Sequence, residues 1–163
     1  MKPTPTQCLI LACGNTLRED DGVGPWLAGW AQDRFHADPR FRVLAAQQWT
    51  PELALDIAAA AAVLFVDCSS ITAPGAVMLS DVSPRGTPQG LATHHLGASE
   101  LLALALELFG HAPQKALLLT VGAASLDLRE GLSAEVEGAL PRTCRLLEET
   151  VLSLVAEPKS TQR

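Results

Sequence analysis

Three consecutive carboxylates, Glu19, Asp20 and Asp21, are the residues of this sequence best suited to chemistry, and they lie in the segment GNTLREDDGVG at residues 14–24. The apolar run CLILAC at residues 8–13 precedes them and is typical of a strand buried on both faces. A glycine loop after such a strand can bind phosphate, but the G-x-G-x-x-G spacing is missing and three carboxylates would repel an anion. The expected partner is therefore a cation, unless the carboxylates only complement a helix dipole on a solvated face.

Further candidate ligands come from two other places in the chain. Asp67 closes the apolar run VLFV at residues 63–66, although it could also be an ordinary turn aspartate. His94 and His95 precede a leucine-rich helical pattern, and the alternative for them is a surface pair without a ligand. Two carboxylates and one imidazole would form a mixed oxygen and nitrogen set, which suits a borderline divalent metal with open coordination positions.

The elements that must position these residues alternate along the chain. Strands are predicted at residues 8–13, 42–46, 63–66, 76–82 and 117–121, with helices at 23–35, 50–60, 99–109 and from 133 onward. Thr50 is the expected N-cap of the second helix, Gly110 the end of the third and Ser133 the start of the last, with a kink expected at Pro141.

This alternation predicts an α/β fold in three layers, a mostly parallel twisted sheet with helices on both faces. A single domain is expected over residues 1–157, with a polar tail at 158–163. Sites in such sheets lie outside the carboxyl ends of the strands, so residues 14–21 and 67–70 should meet at one rim.

Composition excludes several classes of protein. The chain has 163 residues, a net charge of −6 and 48% hydrophobic residues, which argues against disorder and against a nucleic-acid partner. No apolar run reaches the roughly 18 residues of a membrane span, and the first residues lack a signal-peptide pattern, so a cytoplasmic protein is expected. The four scattered cysteines are expected to be reduced thiols in the core. Trp26, Trp30 and Trp49 are expected to pack in the core too, and the alternative for them is docking of a partner through exposed faces.

The motifs together resemble the [NiFe]-hydrogenase maturation endopeptidases. Residues 14–24 match the G-N-x-L-x-x-D-D-G-x-G signature of that family, and residues 64–67 match its short hydrophobic strand ending in aspartate. His94, His95 and Leu96 match a histidine before a leucine-rich helix, and residues 48–53 are similar to the Q-x-T-P-E-L segment of one subgroup. Two departures lie in the loop: Ala12 stands where many members have glycine, and Glu19 stands where glycine is common.

The resemblance implies a peptidase of the aspartic type that removes the C-terminal extension of a hydrogenase large-subunit precursor after nickel insertion. It implies no cofactor of the protein's own, because the nickel is carried by the precursor. The implied catalytic and nickel-contacting residues are Asp21, Asp67 and His94, with His95 as the alternative histidine. A non-catalytic metal-binding maturation chaperone and a metal-dependent small-molecule hydrolase remain as alternatives.

Overall fold

A computed structural model describes residues 6–86 and 96–156 of the chain. Its centre is a five-stranded sheet in the order β2-β1-β3-β5-β4. Neighbouring strands run parallel, except that the edge strand β4 is antiparallel to β5. The strands are β1 (Thr6–Cys13), β2 (Phe41–Ala46), β3 (Ala60–Ser69), β4 (Val77–Asp81) and β5 (Lys115–Gly122).

In the described part of the chain, four α-helices cover the two faces of this sheet and confirm the predicted three layers, and a short 3-10 helix at Glu19–Gly22 precedes the first of them. The four α-helices are α1 (Val23–Phe35), α2 (Leu53–Ala58), α3 (Ala98–Phe109) and α4 (Ala134–Val155). Alternate residues of β1 and β3 point to opposite sides, so one hydrophobic core lies under α1 and α4 and a second lies under α2 and α3. Within residues 6–86 and 96–156, no helix is long and apolar enough to cross a membrane.

Two predicted helix ends are confirmed by their local geometry. Gly110 follows α3 in the left-handed conformation, with φ of 69°, which glycine adopts without a steric penalty. The side chain of Ser133 accepts a hydrogen bond from the Val136 amide and so caps the start of α4. Pro141 lies inside α4 as predicted.

The boundary between α2 and β3 differs from the prediction. The sequence predicts a helix from Thr50 to Ala60, whereas α2 begins only at Leu53, after a turn, and ends at Ala58. The alanines that follow belong to β3, because Ala60 pairs with Thr6 and Ala62 pairs with Cys8. Strand pairing with β1 therefore overrides the helix propensity of an alanine run.

The strand order contains a reversal point between β1 and β3. β1 is followed by β2 on one side and β3 lies on its other side, so the chain direction across the sheet reverses between β1 and β3. Ligands in open α/β sheets bind at such points, outside the carboxyl ends of the strands. The β1–β3 pairing ends at Ala12 and Val66, and the next residue, Asp67, pairs only with Thr120 of β5. Asp67 thus lies where β1 and β3 separate.

Candidate functional site

The loop after β1 is closed by two glycines that lie against backbone oxygens. A Cβ atom on Gly14, whose φ is +152°, would lie 1.9 Å from the carbonyl oxygen of Asp21. A Cβ atom on Gly24 would lie 2.1 Å from the carbonyl oxygen of Cys13. Both distances are far below a van der Waals contact, so the first turn of α1 can approach the end of β1 only because these residues have no side chain.

Asn15 holds the side chain of Asp21 within this loop. The backbone N–H of Asn15 donates to Oδ2 of Asp21 over 2.7 Å, and Oδ1 of Asn15 accepts a hydrogen bond from the Leu17 amide over 2.9 Å. The amide of Asp21 in turn donates to the carbonyl of Arg18. The half-buried carboxylate of Asp21 therefore has a fixed orientation beside the end of β1.

Glu19 and Asp20 have a different role from the one that their sequence position predicts. The side chain of Glu19 forms an ion pair with Arg129, and Asp20 accepts hydrogen bonds from the backbone of residues 124, 125 and 133. Both residues are buried. Of the acidic run that was expected to attract a cation, Asp21 alone remains available, because Glu19 and Asp20 are used to hold the segment at residues 123–133.

The backbone at position 19 explains one departure from the family pattern. Glu19 has φ of 43°, in the left-handed region that glycine tolerates best. Glycine at this position would adopt the turn without strain, whereas glutamate bears that cost and gains the ion pair with Arg129. The Ser125 hydroxyl and the Arg129 guanidinium together lower the pKa of Glu19, so the side chain is held in its charged form.

Asp67 projects from the end of β3 and is electrostatically coupled to Asp21. Its Oδ1 accepts a hydrogen bond from the Cys68 amide over 2.8 Å. Burial raises the pKa of Asp67 to about 6, and the negative charge of Asp21 adds to the rise while the Cys68 amide opposes it. The structure thus brings two of the three predicted site residues, Asp21 and Asp67, to the opening between β1 and β3.

Two thiols lie beside this pair of carboxylates. Burial, with smaller contributions from Asp21 and Asp67, raises the pKa of Cys13 and the pKa of Cys68 to about 12. Both thiols are therefore protonated at neutral pH and poor nucleophiles. All four cysteines are free, as predicted, but only Cys8 and Cys144 are buried, whereas Cys13 and Cys68 are half-buried at the site.

The third predicted ligand is not described by the structure. His94 and its neighbour His95 both lie outside the described residues, as does the predicted polar tail at 158–163. The described chain resumes at Leu96, and α3 begins at Ala98. Within residues 6–86 and 96–156, no three His, Cys, Asp or Glu side chains converge in a group that would hold a metal ion.

The tryptophans near the rim are divided between core and surface. Trp49 is buried and packs edge-on against Phe65, with ring centroids 5.3 Å apart. Phe65 lies two residues before Asp67 on the same face of β3, so this aromatic pair supports the base of the site. Trp26 is 43% exposed in the first turns of α1, so the prediction that it packs in the core is wrong.

Sequence reasoning missed the segment at residues 123–133, which binds Glu19 and Asp20 of the loop after β1. Arg129 forms a parallel bridge with Arg18, in which the amide of Glu19 donates to the carbonyl of Arg129 over 2.7 Å and the amide of Arg129 donates to the carbonyl of Leu17 over 3.0 Å. No motif marks this segment. The only signal was topological, because it follows the carboxyl end of β5, the strand beside β3.

The arrangement can carry out two kinds of chemistry. A pair of carboxylates at a strand opening can bind a divalent cation through oxygen. A carboxylate with a pKa of about 6, such as that of Asp67, can also accept a proton from water and release it again near neutral pH.

Comparison with known proteins shows which solved structures share this fold. No protein-family model matches the chain, and no curated protein sequence matches it. Among solved structures, the hydrogenase maturating endopeptidase HybD from E. coli superposes with a TM-score of 0.71 at 22% identity, covering 90% of this chain and 93% of that one. A hydrogenase 2 maturation peptidase from a Thaumarchaeota archaeon gives 0.66 at 27% identity, covering 91% and 99%. The [NiFe] hydrogenase maturation protease HycI from Thermococcus kodakarensis gives 0.64 at 21% identity, covering 92% of each chain.

These superpositions extend over nearly the whole length of each protein. The chain therefore has the fold of the [NiFe]-hydrogenase maturation peptidases, the family that its sequence motifs resemble.

Proposed function

We propose that this protein is a cytoplasmic endopeptidase that removes the C-terminal extension from the large-subunit precursor of a [NiFe]-hydrogenase after nickel has been inserted. The observation that supports the proposal is the placement of Asp21 and Asp67 at the opening between β1 and β3, in a fold shared with hydrogenase maturation peptidases. The signature loop that carries Asp21 is closed by Gly14 and Gly24, and it can take this shape only with glycine at both positions.

In this proposal the nickel belongs to the substrate and acts as a recognition element. Asp21, Asp67 and His94 would contact nickel that the precursor already holds, and the protein would carry no metal of its own. Two carboxylates supply two negative charges, which balance one divalent cation. Specificity then follows from the difference in affinity between the nickel-loaded and the nickel-free precursor.

Cleavage itself needs an activated water molecule and stabilisation of charge at the peptide oxygen. Asp67 has the pKa of a general base that operates near neutral pH, which supports an aspartic-type mechanism. Polarisation of the peptide carbonyl by the substrate's nickel is the other source of activation. The thiols of Cys13 and Cys68 are not proposed as nucleophiles, because burial keeps both protonated.

The decisive experiment compares nickel-loaded with nickel-free precursor. Purified protein is mixed with each, and loss of the C-terminal peptide is followed by mass spectrometry. We expect cleavage of the loaded precursor alone, and equal cleavage of both would refute nickel as the recognition element. Binding without cleavage of the loaded form would instead indicate a chaperone, and a tightly held stoichiometric metal in the purified protein would indicate a small-molecule hydrolase.

Single substitutions then test the assignment of the three residues. Asp67→Asn and His94→Ala should abolish processing of the loaded precursor, whereas His95→Ala should retain it. His111→Ala is the matched histidine control, because this exposed side chain lies before β5, at the opposite end of the strands from Asp67. Retained processing in His94→Ala, with loss in His95→Ala, would transfer the histidine role to the second residue.

A further inference from the structure

Asp20 is not one of the proposed nickel contacts, and its side chain binds backbone amides instead. Its side chain is fully buried, and both of its carboxylate oxygens are used by backbone amides. Oδ2 accepts from Ala124 over 2.8 Å and from Ser125 over 3.1 Å, while Oδ1 accepts from Ser133 over 2.7 Å. A buried carboxylate is retained at low cost only when it is hydrogen-bonded in this way.

The segment that donates these hydrogen bonds is anchored at both of its ends. It leaves the sheet at Gly122, the last residue of β5, and ends at Ser133, the N-cap of α4. Gly122 has no room for a side chain, since a Cβ atom there would lie 1.9 Å from the carbonyl oxygen of Ala73. Asp20 therefore ties the loop after β1 to a part of the molecule that is fixed by both the sheet and a helix.

Asp21 follows Asp20 directly, and its own side chain has a single described hydrogen bond, from the Asn15 amide. The loop between Gly14 and Gly22 is held at its first end by Gly14. Its second end is held by the Asp20 side chain, together with backbone hydrogen bonds from Glu19 to Arg129 and from Asp20 to Ser125. Without the three hydrogen bonds to its side chain, residue 20 would be held by its backbone alone, and the backbone at residue 21 would gain freedom to rotate. The carboxylate of Asp21 would then leave the Asn15 amide and the opening beside Asp67.

We infer that Asp20 is a positioning residue, which fixes the carboxylate of Asp21 toward the opening between β1 and β3 by binding the amides of Ala124, Ser125 and Ser133. The geometric part of this inference stands on the described contacts alone. Its consequence for processing rests on the proposed function, in which Asp21 contacts the nickel of the precursor. The two parts are tested by different measurements.

The first test measures the position of Asp21 without any substrate. In ¹⁵N-labelled protein, amide exchange at Asn15 reports its hydrogen bond to the carboxylate of Asp21. Asp20→Asn should speed this exchange at least about tenfold, since a lost hydrogen bond of about 1.4 kcal/mol changes an equilibrium tenfold. Leu147→Ala, a buried substitution in α4, is the control for a general loss of stability. As long as Asn15 exchanges by local opening rather than by global unfolding, its exchange rate should be unchanged in this variant.

The second test measures discrimination between precursors. The ratio of affinities for nickel-loaded and nickel-free precursor should fall about 10–100-fold in Asp20→Asn, because small misplacements of a positioned group cost this much. Asp21→Asn should lower the ratio as well, and adding Asp20→Asn to it should cause no further loss. Additive losses in the double variant would show that Asp20 does not act through Asp21.

A second variant guards against failure of Asp20→Asn to fold. Ala124→Pro removes the backbone N–H of residue 124, one of the three donors to Asp20, and leaves Asp20 itself unchanged. It should speed exchange at Asn15 in the same direction. Unchanged exchange at Asn15 in both folded variants would overturn the inference, even where wild-type protein cleaves loaded precursor. Faster exchange, combined with no preference of the wild type for loaded precursor, would keep the positioning role and refute the proposed function.

Discussion

The substitution Asp67→Asn should stabilise the protein at neutral pH while abolishing its proposed activity. Asparagine has nearly the same shape as aspartate, and its Oδ1 can still accept the hydrogen bond from the Cys68 amide. The charge, however, is lost, and with it both the cost of burying a carboxylate and the repulsion from Asp21. The charged Asp67 side chain, which the proposed reaction requires, thus lowers the free energy of unfolding.

The size and the sign of the effect follow from the pKa of Asp67, which rises from 3.8 to about 6 on folding. Because the folded state holds this proton more tightly than the unfolded state, the contribution of Asp67 is favourable below its unfolded pKa and is lost as the pH rises through its folded pKa. A shift of about two units corresponds to about 3 kcal/mol at full effect. Solvent screening at this half-buried position reduces that figure to about 1–2 kcal/mol.

Urea denaturation of wild type and Asp67→Asn at several pH values measures the effect. The advantage of the variant in free energy of unfolding should grow by about 1–2 kcal/mol between about pH 4.5 and about pH 8. Other titrating groups are common to both proteins and cancel in the difference.

Asp20→Asn is the matched control with the opposite sign. Burial acts to raise the pKa of Asp20, but the amides of Ser133, Ser125 and Ala124 outweigh it and lower the pKa. The contribution of Asp20 to stability is therefore present above its unfolded pKa and is lost as the pH falls. At neutral pH, Asp20→Asn should destabilise the protein by about 2 kcal/mol, because the hydrogen bonds of three backbone amides to a buried charged carboxylate are weakened or lost.

One result would refute this account of Asp67. If the difference between Asp67→Asn and wild type is the same at acid and at neutral pH, the side chain titrates at its ordinary value and is not strained by burial and by Asp21. The two carboxylates would then lie too far apart, or too open to water, to act as one site.

Two further predictions concern the backbone of the signature loop. Gly24→Ala should lower the free energy of unfolding, measured in urea, by about 1–3 kcal/mol, because its Cβ atom would lie 2.1 Å from the Cys13 carbonyl oxygen. Gly29→Ala in α1 is the control and should raise that free energy by up to about 1 kcal/mol, because no atom lies within 4 Å of its Cβ position. Equal effects of the two substitutions would argue against the close approach at Gly24. At position 19, where φ is 43°, the Glu19→Gly variant should be more stable than Glu19→Ala by about 1 kcal/mol. Both variants lose the ion pair with Arg129, but only glycine adopts the left-handed backbone conformation without strain. A more stable alanine variant would place residue 19 outside the left-handed region.

The sequence predicted the sheet well because its strands are local patterns. β1, buried throughout residues 8–12, is visible as an unbroken apolar run, and β5 is visible as a mainly apolar run interrupted by Thr120. The Ser133 cap and the Gly110 stop depend on residues within four positions, so local chemistry is sufficient to find them. The α2–β3 boundary was missed because alanine suits a helix equally well, and only pairing with β1 decides between the two.

The candidate site was predictable from the sequence only in part. Asp21 and Asp67 share a rim because each follows a strand of one parallel sheet, and that consequence of topology can be stated without coordinates. The partners of Asp20 could not be found in this way, since they lie 104 to 113 residues away and are backbone amides, which have no sequence signature. A carboxylate that binds amides and one that awaits a cation are identical in a sequence.

The division of the acidic run has a consequence for the charge of the site. Glu19, Asp20 and Asp21 carry half of the net charge of −6, and the sequence places all three at the same rim of the sheet as Asp67. In the fold, Glu19 is neutralised by Arg129 and the charge of Asp20 is spread over three amides. Asp21 and Asp67 then remain at the opening. Four exposed carboxylates would hold a free divalent cation tightly, whereas two leave coordination positions for ligands that a substrate brings with its metal. The use of the other two carboxylates within the fold therefore agrees with the proposed recognition of a nickel ion that the substrate holds, rather than with sequestration of a free ion.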